Sequence, residues 1–283
     1  AWRSAAFDWL QHQVEGVMQA DEDAAPVDNR EKFTGKAGVY ARFRERYDAE
    51  AILPLLRAWC GLQPVWTVAD VGTGTGMLGD VFRENGNTVI AVEPNEEMRA
   101  LCAELHEGDA QFRIVAGAAE ETTLADGSVD MIATGRALHW FDAERAMHEF
   151  RRILKPGGWV VIVAGGREEH GRAENEALEA LFRAALKIHA STRASYAVYQ
   201  RLGEFFAGGA MHHAEIPGEM QLDWEQLRGL ALSHSHAPLP EAEDFPAFET
   251  GLRQLFERFQ QDGLCTLATR CWINAGRFAD SRE

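Results

Sequence analysis

Between residues 65 and 163 the sequence alternates short runs rich in β-branched residues with segments of helical composition. The β-rich runs are Val65–Val71, Thr88–Val92, Phe112–Val115, Val129–Ala133 and Trp159–Val163. Segments 96–107 and 143–154 between them have helical composition. Because parallel strands need crossover connections, the alternation predicts an α/β fold, a doubly wound and mostly parallel sheet with helices on both faces.

Helical spacing also precedes this region. Residues 2–19 and 38–60 place apolar side chains at three- and four-residue steps, which predicts amphipathic helices. An acidic linker interrupted by proline separates them at 21–28. We expect the first helix to pack on the core, with a homodimer contact or a functional lid as the alternatives.

The C-terminal part of the sequence is less regular. Residues 173–189 and 248–260 predict helices, whereas 203–218 has the composition of a loop. The apolar run 264–273 predicts an antiparallel strand at the edge of the sheet, with 219–222 as its partner.

Composition narrows the class of protein. With 46% apolar residues, the 283-residue chain is able to bury a large core. The 28 basic and 44 acidic residues give a net charge of −16, which disfavours nucleic acid and anionic membranes as partners. The sequence shows neither an apolar run of about 18 residues nor a signal-peptide pattern, so we expect a cytoplasmic protein. The four cysteines form no CxxC pair, which predicts free thiols.

The most informative segment is the glycine-rich turn that follows the first β-rich run. Gly72, Gly74, Gly76 and Gly79 let the backbone turn sharply and approach a ligand closely. Glu93 lies 19 residues after Gly74, where a carboxylate is able to hold ribose hydroxyls. The spacing therefore predicts a nucleoside cofactor and fits two of them, NAD and S-adenosylmethionine.

Asp70 helps to choose between these two cofactors. It ends the first strand beside the turn, where NAD would place its negative pyrophosphate. S-adenosylmethionine carries no phosphate but a sulfonium and an ammonium, so an acid favours it there. An NAD-dependent oxidoreductase remains an alternative, as does a non-catalytic module that binds the cofactor for assembly or regulation.

Several ordered motifs make residues 33–164 resemble the class I S-adenosylmethionine-dependent methyltransferases. The likeness is to the small-molecule branch, type 11 and trans-aconitate-methyltransferase-like. Upstream of the turn, Phe33–Ala37 with Tyr40 and Arg44 is similar to the lid of that branch. The remaining motifs are Val65–Gly79, Ala91–Asn95, Gly117–Glu120, Ser128–Asp130 with Ala137–Phe141, and Leu154–Gly158.

The resemblance implies a seven-stranded Rossmann-like sheet with a helical lid and a small helical cap. It implies methyl transfer to a small-molecule acceptor, with S-adenosyl-L-methionine as cofactor and S-adenosyl-L-homocysteine as product. The regions are then N-terminal helices and lid at 1–60, a cofactor-binding core at 61–165, a cap at 166–218 and C-terminal elements at 219–283. The residues assigned to the cofactor are Tyr40, Arg44, Asp70, Gly72, Thr73, Gly74, Gly76, Glu93, Pro94, Met98, Ala119, Glu120, Arg136 and Ala137.

Three positions depart from the family pattern. Glu45 follows the lid arginine where proline is usual, and Arg136 stands where glutamine commonly precedes the Ala-x-His-Trp motif. In the last strand Ala268-Thr269 replaces a typical Tyr-Thr pair, which removes one phenol from the expected substrate side.

Catalysis of methyl transfer requires mainly that the acceptor be held in line with the methyl group. His139 follows a strand that ends at the expected crevice, so it is the candidate catalytic residue, with packing beside Trp140 as the alternative. Arg136 is placed to pair with a carboxylate or phosphate, or to lie in solvent. Tyr196, Tyr199 and the predicted 203–218 loop are expected to contribute specificity.

Two histidine pairs raise the question of a metal site. His212-His213 and His234-Ser235-His236 have no carboxylate or cysteine at ligand spacing. We therefore predict no metal and interpret these histidines as loop residues.

Overall fold

The computed structural model describes residues 35–185, 196–206, 209–234 and 237–279. The helix predicted at 2–19, the linker at 21–28 and the lid residues Phe33 and Thr34 lie outside these ranges. The same is true of Ser235, His236 and the end of the helix predicted at 173–189.

Seven strands form one sheet in the order β3-β2-β1-β4-β5-β7-β6. Strands β1 to β5 pair in parallel, and β7 is antiparallel to both β5 and β6. The chain reverses its direction of winding between β1 and β4, and ligands of such sheets bind at that switch point. The strands are β1 Thr67–Val71, β2 Thr88–Val92, β3 Phe112–Val115, β4 Val129–Gly135, β5 Leu154–Arg167, β6 Met211–Leu222 and β7 Cys265–Gly276.

Helices cover both faces of the sheet. Several begin at an acidic or amide side chain that accepts a hydrogen bond from the first turn, as Asp48, Asn95 and Asp142 do. The helices are α1 Ala37–Phe43, α2 Ala49–Cys60, α3 Met77–Glu84, α4 Glu96–Leu105, α5 Ala143–Ile153, α6 Ala173–Ala185, α7 Leu202–Phe205, α8 Trp224–Leu232 and α9 Phe245–Phe259, with 3-10 turns at Leu138–Trp140 and Tyr196–Arg201.

Alternate side chains of the central strands point to opposite faces of the sheet and pack into two hydrophobic cores, one on each face. Val161 and Val163 of β5 pack with Phe82 on one face, whereas Val160 and Ile162 pack with Phe150 on the other. Full burial of a side chain of this size contributes about 1.5–3 kcal/mol. The two cores fix the strands and hence the loops at their carboxyl ends.

A third core holds a helical cap beyond the parallel part of the sheet. Phe182 of α6, Leu227 of α8 and Phe248 of α9 pack with Leu267 of β7. Because β7 is antiparallel, its first residues lie at the carboxyl end of β5. The cap, which we define as α6, α8 and α9, therefore stands beside the edge where ligands bind.

The predicted fold class is confirmed, with three corrections to its details. β7 is not the edge strand, because β6 pairs with its outer side along its whole length. Residues 211–222 form that edge strand rather than a loop ending at 218, since an edge position tolerates Pro217 and Gly218. The helix predicted at 38–60 is two helices, because Arg44 is extended and Asp48 caps a new start. The division into four regions stays a prediction.

In the described parts of the chain, every helix falls short of the length and hydropathy that crossing a bilayer requires.

Candidate functional site

The glycine-rich turn after β1 has the backbone conformation that its sequence predicts. Gly72, Gly74 and Gly76 have φ values of +70°, +60° and +96°, a region that favours glycine. A Cβ on Gly72 would lie 2.8 Å from the Cβ of Ala137, so this glycine allows the β4 exit to approach. A Cβ on Gly74 would meet no described atom within 4 Å, which leaves room for a ligand.

Asp70 lies fully buried beneath the turn. Its Oδ2 accepts hydrogen bonds from Thr73 Oγ1 at 2.5 Å and from the Gly79 amide at 2.9 Å. Its Oδ1 is buried and has no hydrogen-bond partner among the described residues. Burial raises the pKa of this carboxyl to about 7. A cationic group in the crevice would offset the cost of ionising it.

Glu93 joins the turn to the end of β2. Its Oε2 accepts a hydrogen bond from the Gly74 amide at 2.8 Å, and its Oε1 accepts one from the Asn95 amide at 2.9 Å. Burial raises the pKa of Glu93, against the opposing effect of these two bonds. Pro94 follows it, and Met98 is buried in the first turn of α4. The carboxylate is thus held beside the open space at Gly74.

The turn after β3 bears two of the residues assigned to the cofactor. Ala119 is buried, and Glu120 Oε1 accepts a hydrogen bond from the Asp142 amide at 2.7 Å. Glu120 therefore connects this turn to the start of α5, and Ala119 provides an apolar surface next to it.

The lid helix α1 is docked on α8 of the cap. Lys36 Nζ donates hydrogen bonds to the carbonyls of His234 and Ala237, and burial lowers its pKa to about 8. The ring of Phe43 lies so close to Gly229 that a Cβ there would be 2.2 Å from it. These contacts fix the predicted lid residues against the C-terminal part of the chain.

Arg44 ends the lid with a guanidinium that has no carboxylate partner in the part of the chain that is described. Its Nη1 lies 3.1 Å from Nδ1 of His234, and its Cζ lies 5.6 Å from the centre of the Tyr40 ring. Its Nε is buried with no described hydrogen-bond partner. A guanidinium in this state is suited to receive a carboxylate.

His139 lies on the short 3-10 turn after β4 and is 7% exposed. Its Nδ1 is 3.3 Å from the hydroxyl of Tyr199, and its ring centre is 4.3 Å from that of Trp140. The contact with Tyr199 joins the β4 exit to a segment 60 residues away. The sequence singled out Tyr199 as a specificity residue but gave no signal of this pairing.

Arg136 has its guanidinium already engaged. Its Nε donates to the Tyr47 hydroxyl at 2.9 Å and its Nη2 to the Glu45 carbonyl at 2.7 Å. The sequence predicts that this arginine pairs with a ligand anion or lies in solvent; in the structure it contacts the segment that follows the lid.

The pair His212-His213 makes contacts within the fold. His212 stacks on Trp59 at 5.4 Å, and His213 Nδ1 is 2.9 Å from Asn274 Oδ1. Both residues belong to β6 rather than to a loop. The described ranges contain no group of three or more residues that could hold a metal ion.

The residues present fit S-adenosylmethionine. Asp70 offers a buried acceptor suited to an ammonium, Arg44 a buried donor suited to a carboxylate, and Glu93 a carboxylate suited to ribose hydroxyls. This set of charges matches an amino acid joined to a nucleoside.

Comparison with known proteins points the same way. Residues 69–162 match the protein family described as a methyltransferase domain. An uncharacterized methyltransferase of Mycobacterium tuberculosis (strain ATCC 25618 / H37Rv) is 39% identical over 137 residues, which cover 48% of this chain and 53% of the relative. The malonyl-[acyl-carrier protein] O-methyltransferase of Pectobacterium atrosepticum is 38% identical over 133 residues, which cover 46% and 50%. The chain thus spans about half the length of the curated relatives it matches.

Solved structures extend the likeness of the fold over most of the chain. A methyltransferase from Anaeromyxobacter dehalogenans, classed provisionally as type II, has a TM-score of 0.59 at 22% identity, covering 83% of this chain and 98% of its own. The Haemonchus contortus phosphoethanolamine N-methyltransferase 2, in complex with S-adenosylhomocysteine, has a TM-score of 0.51 at 16% identity. The match covers 89% of this chain and 61% of that protein.

Proposed function

We propose that this chain is a class I S-adenosylmethionine-dependent methyltransferase of the type 11 branch and that the whole protein transfers the methyl group to a small-molecule acceptor; the match of residues 69–162 to a methyltransferase domain supports the proposal. The observation that carries this proposal is the buried Asp70 carboxyl, which has one oxygen without a described partner and a pKa raised to about 7. A carboxyl in that state is stabilised by a cationic ligand and destabilised by a pyrophosphate. The same charge argument disfavours NAD.

The proposed binding set follows the geometry of the crevice. Glu93 holds the ribose, Ala119 and Glu120 flank the adenine, and Asp70 with Arg44 binds the amino acid end. Gly72, Gly74 and Gly76 shape the turn, and Thr73 holds Asp70 in place. The remaining proposed contacts are Tyr40, Pro94, Met98 and Ala137.

Bound S-adenosylmethionine supplies a sulfonium methyl group for in-line displacement. The chain's own contribution is to hold the acceptor and to exclude water. His139 is buried at the β4 exit, and its Nδ1 lies beside the Tyr199 hydroxyl. We propose that Tyr199 orients this imidazole and that His139 in turn orients the attacking atom of the acceptor or accepts its proton.

A small acceptor is favoured by the cap and by the charge of the chain. The cap stands beside the carboxyl edge of the sheet, and the lid docks on it through Phe43 and Gly229. We infer that the cap and the lid restrict the approach to the carboxyl edge of the sheet, which suits a compact acceptor. The net charge of −16 repels nucleic acid. The cytoplasmic location stays a prediction.

Two measurements test the proposal. Calorimetry should detect binding of S-adenosylhomocysteine and none of NAD; the reverse result would identify an oxidoreductase. Labelled S-adenosylmethionine should then transfer its methyl group to the small-molecule fraction of a cell extract. Label that appears in protein or nucleic acid would overturn the choice of acceptor, and cofactor binding without any transfer would indicate a non-catalytic module.

A further inference from the structure

Two of the three positions that depart from the family pattern, Glu45 and Arg136, meet in the structure. Arg136 Nη1 lies 3.6 Å from Glu45 Oε2, and Nη2 donates a hydrogen bond to the Glu45 carbonyl at 2.7 Å. The two side chains are only 9% and 14% exposed. They are 91 residues apart in sequence, so the contact joins the segment after the lid to the exit of β4.

Tyr47 completes this contact. Arg136 Nε donates to its hydroxyl at 2.9 Å, and the guanidinium carbon lies 4.5 Å from the centre of its ring. Burial raises the pKa of Tyr47, so the phenol remains neutral. The hydroxyl reaches the backbone of β4 so closely that a Cβ on Gly135 would be 2.4 Å from it.

The backbone of Arg136 indicates that these contacts have a role. Its φ is +54°, a left-handed conformation that strains a residue with a Cβ. Such a conformation persists where surrounding contacts stabilise it. Here the amide donates to the Val163 carbonyl at 2.8 Å, and the guanidinium is held by Glu45 and Tyr47.

We propose that Arg136, Glu45 and Tyr47 form a joint that positions Arg44 for the carboxylate of the methyl donor. Arg44 directly precedes Glu45, and helix α1 has already ended at Phe43. The path of the backbone at Arg44 is therefore set by the docking of α1 on one side and by the joint on the other. This inference rests on the proposed function, and it makes Arg136 a positioning residue rather than a cofactor contact.

The joint also reaches the glycine-rich turn. Arg136 Nη2 lies 3.9 Å from Sδ of Met77, the first residue of α3. The exit of β4, the start of α3 and the segment after the lid thus converge on one guanidinium. Removing one partner of a buried ion pair leaves the other charge uncompensated, so single substitutions should displace this segment.

A double-mutant cycle on S-adenosylhomocysteine affinity, measured by calorimetry, tests the joint. Arg136→Gln should weaken binding roughly tenfold in the wild-type background. It should cause no further loss in the Arg44→Ala background, because Arg136 acts through Arg44. Equal losses in both backgrounds would mean that Arg136 contacts the ligand itself or acts elsewhere, and would overturn the proposal. If the wild-type protein does not bind the ligand, the proposed function fails and the joint fails with it.

Restoring the family residues at both positions gives a second readout. Glu45→Pro combined with Arg136→Gln removes both charges, and Arg44 already has the extended backbone that a residue before proline requires. The double variant should regain most of the affinity that Arg136→Gln loses; a further loss would contradict the joint. Arg46→Gln, which breaks only an exposed pair with Asp80, is the matched control and should bind normally. If Arg136→Gln does not fold, Glu45→Gln takes its place in the same cycle.

Discussion

The two sides of the crevice are held by contacts whose partners are separated by very different distances in the sequence. On the turn side, which comprises Asp70, Gly74 and Glu93, the hydrogen bonds of the two carboxylates span between 2 and 19 residues. On the lid side, which comprises Arg44, Arg136 and His139, the contacts of these three residues with His234, Glu45 and Tyr199 respectively span 60 to 190 residues. The partners of the turn side lie between residues 70 and 95, whereas those of the lid side lie between residues 44 and 234.

This difference suggests that the two sides are separable by mutation. On the turn side, the carboxylates are hydrogen-bonded to nearby residues and backbone amides, so a substitution there should alter the nucleoside site directly. A change on the lid side alters how distant segments meet, so it should affect the carboxylate end of the cofactor, through Arg44 and Arg136, or the acceptor step, through His139, rather than the nucleoside. Four substitutions test the comparison.

Glu93→Ala should have the largest effect. It removes the carboxylate proposed to hold the ribose hydroxyls and leaves the Gly74 and Asn95 amides without their acceptor. Loss of a charge-assisted bond costs about 1.5–3 kcal/mol, which is roughly 10- to 150-fold in S-adenosylhomocysteine affinity by calorimetry. Glu96→Ala, an exposed neighbour in α4, is the control. Unchanged affinity in the Glu93 variant would remove this residue from the site.

His139→Ala should lower turnover roughly tenfold while S-adenosylhomocysteine affinity stays nearly constant. The imidazole lies on the lid side and is proposed to face the acceptor. Its removal should therefore leave the contacts of the nucleoside, and hence the S-adenosylhomocysteine affinity, unchanged. Initial rates with the acceptor identified from the extract, together with calorimetry, separate the two quantities. Full turnover would reduce His139 to a packing role, and a parallel loss of affinity would break the division between the two sides.

Asp70 predicts a dependence of binding on pH. Its pKa is about 7 in the folded protein, above about 3.9 in an unfolded chain, so its contribution to the stability of the free protein is present below about pH 3.9 and is lost as the pH rises through about 7. A cationic ligand favours the ionised form. Affinity for S-adenosylmethionine should therefore rise several-fold between about pH 6 and 8, with proton release near pH 7.

Calorimetry in two buffers of different ionisation enthalpy measures that proton release. Asp70→Asn should reduce it, leaving only the contributions of other groups with shifted pKa values, notably Glu93 and Lys36. Proton uptake instead of release in the wild-type protein would contradict the assignment of a cation to the turn side.

Tyr199→Phe should have the smallest effect. It removes one hydroxyl from His139, and a single hydrogen bond contributes about 0.5–1.5 kcal/mol, which corresponds to roughly two- to tenfold in turnover. Gln200→Ala, exposed on the same 3-10 turn, is the control. If the Tyr199 variant loses more than the His139 variant, then Tyr199 itself contacts the acceptor.

The sequence separation of the contacting residues also explains which parts of the site were predictable from the sequence. Gly72, Gly74, Gly76 and Glu93 were recognisable because a strand, a turn and a helix next to one another in the chain determine their geometry. The partners of Arg136 and His139 were not, because nothing in the local sequence states that residue 45 meets residue 136 or that residue 139 meets residue 199. The sequence predicts a loop for residues 211–218 of β6, and a strand only for 219–222, for a related reason. The histidine, proline and glycine of 211–218 do not indicate a strand by themselves, and the strand forms at the edge of the sheet by pairing with β7.

The sheet has one further property that bears on how such a protein diversifies. β4 pairs with β5 only as far as Val163, yet β5 continues to Arg167 beside β7, and β7 continues beside β6 as far as Leu222. A three-stranded ribbon therefore projects past the parallel half and carries the cap. The length and the side chains of this ribbon are able to change in evolution without altering the strand register that positions the glycine-rich turn and Glu93. We therefore expect that exchanging ribbons between relatives is a route to proteins with other acceptors.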